Sequence, residues 1–144
     1  MRLWILLALG LLSAGSMLLA ACGGDDDETP KGGGSDEDYL RAICVGTSNF
    51  SNALLSKTNP DDIAKVIKDF IEEMKKTNPP ADLVKYNQEF IKYLEDSVAE
   101  PTSLVTRAPP LPDKDVSRRI AALEPSISEC KDGTFFSRAA TETP

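Results

Sequence analysis

The sequence predicts an all-α protein, a small four-helix up-down bundle. Three observations predict it. Apolar residues recur at helical spacing in four segments between Leu40 and Cys130, the signature of helices with one buried stripe. Asn, Pro and Gly punctuate the joints between these segments. No stretch sustains the apolar/polar alternation of a half-buried strand. Short connections between the first three segments make them antiparallel neighbours.

The first helix is expected from about Asp36 to Ser56. Ser35, with Asp38 three residues on, is a weak variant of the capping box, which prefers Glu or Gln at that position. Leu40, Ile43, Thr47, Phe50 and Leu54 form its seam, and Gly46 inside it weakens the helix. The second helix has the clearest start. Asn59 can cap it, Pro60 suits its first position, and Asp61 and Asp62 suit the positive end of its dipole. Ile63, Val66, Ile67, Phe70, Ile71 and Met74 share one face, Lys75 and Lys76 favour its end, and Asn78-Pro79-Pro80 stops it.

The third helix is expected from about Pro80 to Ala99, with Leu83, Asn87, Phe90, Leu94 and Ser97 as its inner row and Pro101 as its terminator. Residues 101–112 carry Pro101, Pro109, Pro110 and Pro112 and read as a longer loop. The fourth helix starts near Asp113. Val116, Ile120, Leu123, Ile127 and Cys130 continue one seam across Pro125. A proline inside a helix kinks or splits it, and the unbroken seam favours a kink. The helical domain is thus residues 39–133, and residues 134–144 form a loose tail that Phe135 and Phe136 pin to the bundle.

The chain has 144 residues and a formal net charge of −7. Charge is unevenly spread. Residues 22–38 carry seven acids against Lys31, while residues 39–144 carry only −2. Acidity therefore belongs to the segment before the domain. No basic cluster exceeds two adjacent residues, so nucleic acid is not an expected partner. Histidine is absent from the whole chain. That excludes His-based triads and His metal sites within it and removes the usual neutral-pH general base.

Residues 1–21 begin Met1-Arg2 and continue as an apolar, Leu-rich run broken by Ser13, Gly15 and Ser16. One positive charge, an apolar stretch and small residues at the end describe a signal peptide. By length the run could instead remain as an uncleaved membrane anchor. Leu19-Ala20-Ala21-Cys22 resolves the choice, because it resembles the lipobox of bacterial lipoproteins. The resemblance covers residues 1–22 only. It implies a diacylglyceryl thioether on Cys22, cleavage between Ala21 and Cys22, and acylation of the new amino group, with palmitate a typical chain. Two or three acyl chains hold a protein durably, at ~0.8 kcal/mol per buried CH₂. The membrane is thus the first expected partner, through lipid on Cys22, and the expected location is the extracytoplasmic side of the bacterial cell envelope.

Residues 22–38 follow as a tether. After Cys22, five of the sixteen residues are Gly and none is large and apolar. Such a segment cannot bury enough surface to fold and should reach roughly 20–25 Å as a flexible spacer. Its acids could also suggest Ca²⁺, but the glycine and closing glutamate of an EF-hand loop are missing.

With Cys22 consumed by lipid, Cys44 and Cys130 remain, and outside the cytoplasm two such thiols usually pair. In an up-down bundle the start of helix 1 and the end of helix 4 lie at the same end, and both cysteines fall on or beside the apolar seams. Two free buried cysteines are the alternative. A catalytic thiol lacks a histidine to activate it.

No catalytic, metal or cofactor site is expected. Glu72-Glu73 and Glu95-Asp96 are adjacent on helices and do not share a face. Arg118-Arg119 suits an anion, but exposed helix arginines are commonplace. Tyr86 and Tyr93 lie seven apart on one face, either as a half-buried core edge or as an aromatic contact for a partner. The expectation is therefore a non-catalytic binding or interaction module whose partner is an envelope protein or cell-wall component. An accessory or sensor subunit of an envelope complex, or an Asp/Glu-dependent hydrolase, are the alternatives.

Overall fold

The computed structural model describes residues 32–131 and 135–141. The signal segment, its cleavage site, Cys22 and the tether up to Lys31 lie outside the described residues. Among the described residues the protein is all-α, with no strand. Helix α1 spans Asp36–Leu55, α2 Pro60–Lys76, α3 Val84–Ala99, α4 Ser103–Thr106, α5 Lys114–Ala121 and α6 Phe135–Thr141.

The local rules hold at the first three helices. The Asp38 amide donates to Ser35 Oγ at 3.1 Å, and that hydroxyl donates to Asp38 Oδ2 at 2.7 Å, so Asp38 serves in the place of Glu or Gln. Asn59 Oδ1 accepts from the Asp61 amide at 2.9 Å, with Pro60 opening α2. A single 3₁₀ turn, Ala81–Leu83, leads into α3, because Pro79-Pro80 delays regular helix. The inner row of α3 from Leu83 to Ser97 is fully buried.

Helices α1 and α2 pack together, as do α2 and α3, around one apolar cluster. Its centre is aromatic. Phe50 stacks on Phe70 with centroids 4.6 Å apart, and Phe70 meets Phe90 edge-on at 6.2 Å. Gly46 has a packing reason, since a Cβ there would lie 3.0 Å from the Phe70 ring. Tyr39 is buried beside this cluster, and its hydroxyl donates to Asn87 Oδ1 at 3.0 Å.

Four expectations need correction. The fourth helix is not kinked but broken. It ends at Ala121 and gives way to 3₁₀ turns at Glu124–Ser126 and Ser128–Cys130, with Ile127 extended between them. Pro125 has no N–H to continue the ladder and its ring crowds the carbonyl four residues back. The break still leaves Ile120, Ile127 and Cys130 buried, so the seam is kept without the helix. The expected loop over 101–112 contains α4, and the expected loose tail contains α6. Helix α6 packs on α5, and Phe136 is completely buried, 5.7 Å from the Tyr86 ring.

The fourth correction concerns the tether's end. Residues 32–35 are not spacer but dock against the α2–α3 connection. Gly33 and Gly34 amides both donate to the Pro79 carbonyl, at 3.1 and 3.3 Å. Glycine is required there. Gly32 has φ +62°, and a Cβ on Gly34 would sit 1.7 Å from the Asn78 carbonyl oxygen.

Cys44 and Cys130 are joined as a disulfide, with Cα atoms 5.1 Å apart. It ties the last 3₁₀ turn to the first half of α1. Arg119 ties α5 to the same end. Its guanidinium binds Asp82 through Nη1 at 2.6 Å and Nη2 at 3.0 Å, and Asp36 through Nε at 2.8 Å.

Candidate functional site

The described residues form an apolar groove of about 460 Å³, within the ~300–1,000 Å³ typical of small-molecule sites. Its floor is the aromatic cluster: Phe50 from α1, Phe70 from α2, and Phe90, Tyr93 and Leu94 from α3. Its outer wall is the proline-rich connection, which contributes Leu104, Val105, Ala108, Pro109 and Leu111. Thr47 and Leu54 of α1 and Arg138 of α6 complete the lining. Of the wall residues, Val105 is 87% exposed and Leu111 47%. Apolar side chains thus stand in solvent at the rim of an apolar hollow, which is unusual for a surface that is merely solvated.

The connection is held by hydroxyls. Tyr93 Oη donates toward the carbonyls of Leu104 and Arg107, at 3.1 and 3.2 Å. Ser103 Oγ donates to Ser97 Oγ at 2.9 Å, and Ser97 Oγ donates to the Tyr93 carbonyl at 2.8 Å. The Arg107 guanidinium lies 5.7 Å from the Tyr93 ring centroid and 3.8 Å from Asp96. Burial pushes the Tyr93 phenol up, and Arg107 opposes part of that. The Lys92 ammonium, helped by Arg107, holds the Asp96 carboxyl below its usual range. Thr47 Oγ1, in the groove wall, is buried and has no hydrogen-bond partner among the described residues.

A smaller hollow of about 120 Å³ lies against Phe50 and Phe70, with Asp69 and Glu73 on its edge. Asp69 is paired with Lys65 at 2.6 Å. No group of three or more metal-ligating side chains occurs among the described residues, and no described helix is long and apolar enough to cross a membrane.

Tyr86 and Tyr93 do share a face, but it is the inner face. Both are buried, so the pair makes no exposed aromatic patch. Tyr86 packs between Phe90 and Phe136 in the core, where burial pushes its phenol well above the usual range. Tyr93 instead reaches the groove. Arg119 is saturated by Asp36 and Asp82, and Arg118 pairs with Asp115 at 3.2 Å. The adjacent carboxylates also separate, since Glu95 pairs with Lys75 at 3.1 Å while Asp96 faces Lys92. The wall residues from Leu104 to Leu111 were missed in the sequence reading. Their signal was the Leu104-Val105 doublet and Leu111, apolar residues stranded among prolines with no helical partner row.

Compared with protein-family models, with curated proteins and with solved structures, the chain matches none.

Proposed function

We propose that this protein is a lipid-anchored, extracytoplasmic binding protein of the bacterial envelope, non-catalytic, with the apolar groove as its ligand site. The groove is the observation that carries the reading. It is a preformed hollow of ligand size whose lining residues include no carboxylate. A hydrolase using Asp or Glu needs two convergent carboxylates at a substrate-sized site. The Cys44–Cys130 bridge supports an oxidising compartment, and the Leu19-Ala20-Ala21-Cys22 motif supports export and acylation.

Anchoring is tested by Cys22→Ala in a bacterial host, read by membrane fractionation and radiolabelled palmitate incorporation. The expected result is loss of label together with release from membranes or a retained, unprocessed precursor. Unchanged processing and labelling would overturn the address. Ligand binding is tested independently by organic extraction of the purified protein and mass spectrometry of what comes off.

A further inference from the structure

We infer that the Arg107–Ala108 peptide bond is a processing site for a trypsin-like endoprotease, and that cutting it yields a two-chain form held by the Cys44–Cys130 bridge. This site is independent of what the groove binds. An endoprotease reads its substrate as an extended strand, so the cleaved backbone must leave the domain without unfolding it. The connection between α3 and α5 meets that need. Residues 107–113 carry no helix, and Arg107 is already extended, with φ −111° and ψ 137°. Pro109, Pro110 and Pro112 have no N–H. Among the described residues, Ala108 and Leu111 donate no hydrogen bond to another main-chain group. Only the single turn of α4 precedes this stretch, and one isolated turn is marginal by itself.

The residue before the bond is basic and accessible. The Arg107 side chain is 52% exposed. It meets the Asp96 carboxylate only at 3.8 Å, and Lys92 already holds that carboxylate at 2.9 Å. An exposed ion pair of this kind gives way at small cost, so the guanidinium can enter an acidic specificity pocket. Other basic residues are placed differently. Arg41, Arg118, Arg119 and Arg138 lie in helices. Lys57 sits in residues 56–59, a link between α1 and α2 too short to be drawn out without unwinding a helix. Lys131 follows directly on the bridged Cys130.

Hydrolysis adds one water across the amide bond, leaving a carboxylate on Arg107 and an ammonium group on Ala108. The bridge straddles the cut, with Cys44 before it and Cys130 after it. The apolar cluster straddles it too, since Ile120, Ile127 and Phe136 pack in one core with residues of α1 to α3. The two chains therefore stay together. Ala108, Pro109 and Leu111 of the groove's outer wall are left attached at one end only.

The test uses the purified, oxidised full chain with a trace of trypsin as the probe protease. Cuts at Lys31 or earlier precede the described domain and are set aside. The readout is the first cut beyond Gly32, located by mass spectrometry, and it is expected between Arg107 and Ala108. Without reductant the cut protein should run as one species with the parent circular dichroism. Reductant followed by denaturant should release residues 108–144 as a separate chain. Arg107→Gln should abolish the early cut. Tyr93→Phe removes the hydroxyl that holds the Leu104 and Arg107 carbonyls. It should speed the cut about tenfold, because cleavage draws on the opened population. A first cut at Lys57, Lys131 or a helical basic residue would overturn the inference. So would an Arg107→Gln chain cut at the parent rate, or resistance to the probe until the whole domain melts. Loss of helical signal on cutting, with the bridge intact, would refute the two-chain form.

Discussion

Reducing the Cys44–Cys130 bridge should lower the melting temperature by tens of degrees. The bridge spans 86 residues of sequence. In the chain-entropy account, cross-linking a loop of that length removes about 4.5 kcal/mol of conformational freedom from the unfolded chain. Total stability of a domain this size is ~5–15 kcal/mol, so the bridge supplies a third of it or more. At ~4–8 °C per kcal/mol for domains of this length, the expected drop is roughly 20–35 °C. Reduction with a phosphine leaves both buried side chains in place, so no cavity confuses the comparison. The assay is thermal unfolding by circular dichroism with and without reductant, with free thiols counted by mass spectrometry. A drop under about 5 °C in fully reduced protein would refute the reasoning, because the entropic term would then be absent or already compensated. The enthalpic alternative has its own signature. If the bridge acts through the unfolded chain's entropy, unfolding enthalpies compared at one temperature should agree within error between the two forms.

The same bridge has a local role that hydrogen exchange can read. Between Ala121 and Lys131 the chain makes only short 3₁₀ turns, and the segment carrying Glu124–Ser126 and Ser128–Cys130 is fastened to α1 through Cys130 and the buried Ile127. Reduction should therefore deprotect the amides of this segment before those of α2 and α3.

Tyr39→Phe should cost about 1–3 kcal/mol by leaving the Asn87 carbonyl buried without its donor. Asn87 Nδ2 has no partner among the described residues, so the double variant Tyr39→Phe/Asn87→Leu should recover most of that loss in denaturant titrations. Arg119→Gln should cost about 1 kcal/mol by releasing α5 from Asp36 and Asp82, a modest figure because the guanidinium is partly exposed. The Arg119 bonds hold the Asp82 carboxyl below its usual range, so their stabilisation is present above the unfolded carboxylate pKa. It fades as pH falls through the lower folded value, so Arg119→Gln should flatten the acid limb of a melting-temperature profile below about pH 4. Gly34→Ala should destabilise by about 1–2 kcal/mol through its clash with the Asn78 carbonyl and loss of the two bonds to Pro79, and Gly33→Ala, where no atom lies within 4 Å, should cost less despite its φ of +139°.

What was legible in the sequence was whatever depends on neighbours within one or two turns. The caps at Ser35 and Asn59, the stop at Pro79-Pro80 and the seams of α1 to α3 are local, and periodicity alone reports them. The Cys44–Cys130 pair was legible for a different reason, since compartment and elimination left only those thiols once Cys22 was assigned elsewhere. The misreadings turn on what lies beyond local sequence. Gly32-Gly33-Gly34 looks like a flexible spacer, because glycine permits both disorder and close backbone approach, and only the position of the Asn78 and Pro79 carbonyls decides between them. Tyr86 and Tyr93 gave a correct face but not its partner, as an amphipathic tyrosine suits an interior or a surface equally. The groove was illegible because half of it comes from a segment with no periodicity.

The break at Pro125 is what makes a groove possible at all. A helix running straight from Asp113 to Cys130 would carry the chain about 27 Å along one axis. The observed chain turns at Glu124–Ser126 and again at Ser128–Cys130, and α6 then returns against α5. That return buries Phe136 against Tyr86 and sets Arg138 at the groove. The proline connection contributes the opposite wall for the same reason. Pro109, Pro110 and Pro112 cannot continue a helix, so Leu104 to Leu111 lie across α3 with only α4 as regular structure. Two helix-breaking stretches, each costly for a bundle considered as packing alone, together supply the outer wall and the Arg138 side chain of the groove that the proposed function uses. Pro125→Ala tests this dependence directly, since a longer fourth helix would pull Phe136 and Arg138 from their places. The expected result is loss of whatever organic extraction recovers from the parent protein, with α1 to α3 still protected from hydrogen exchange, and unchanged recovery would show that the groove does not need the break.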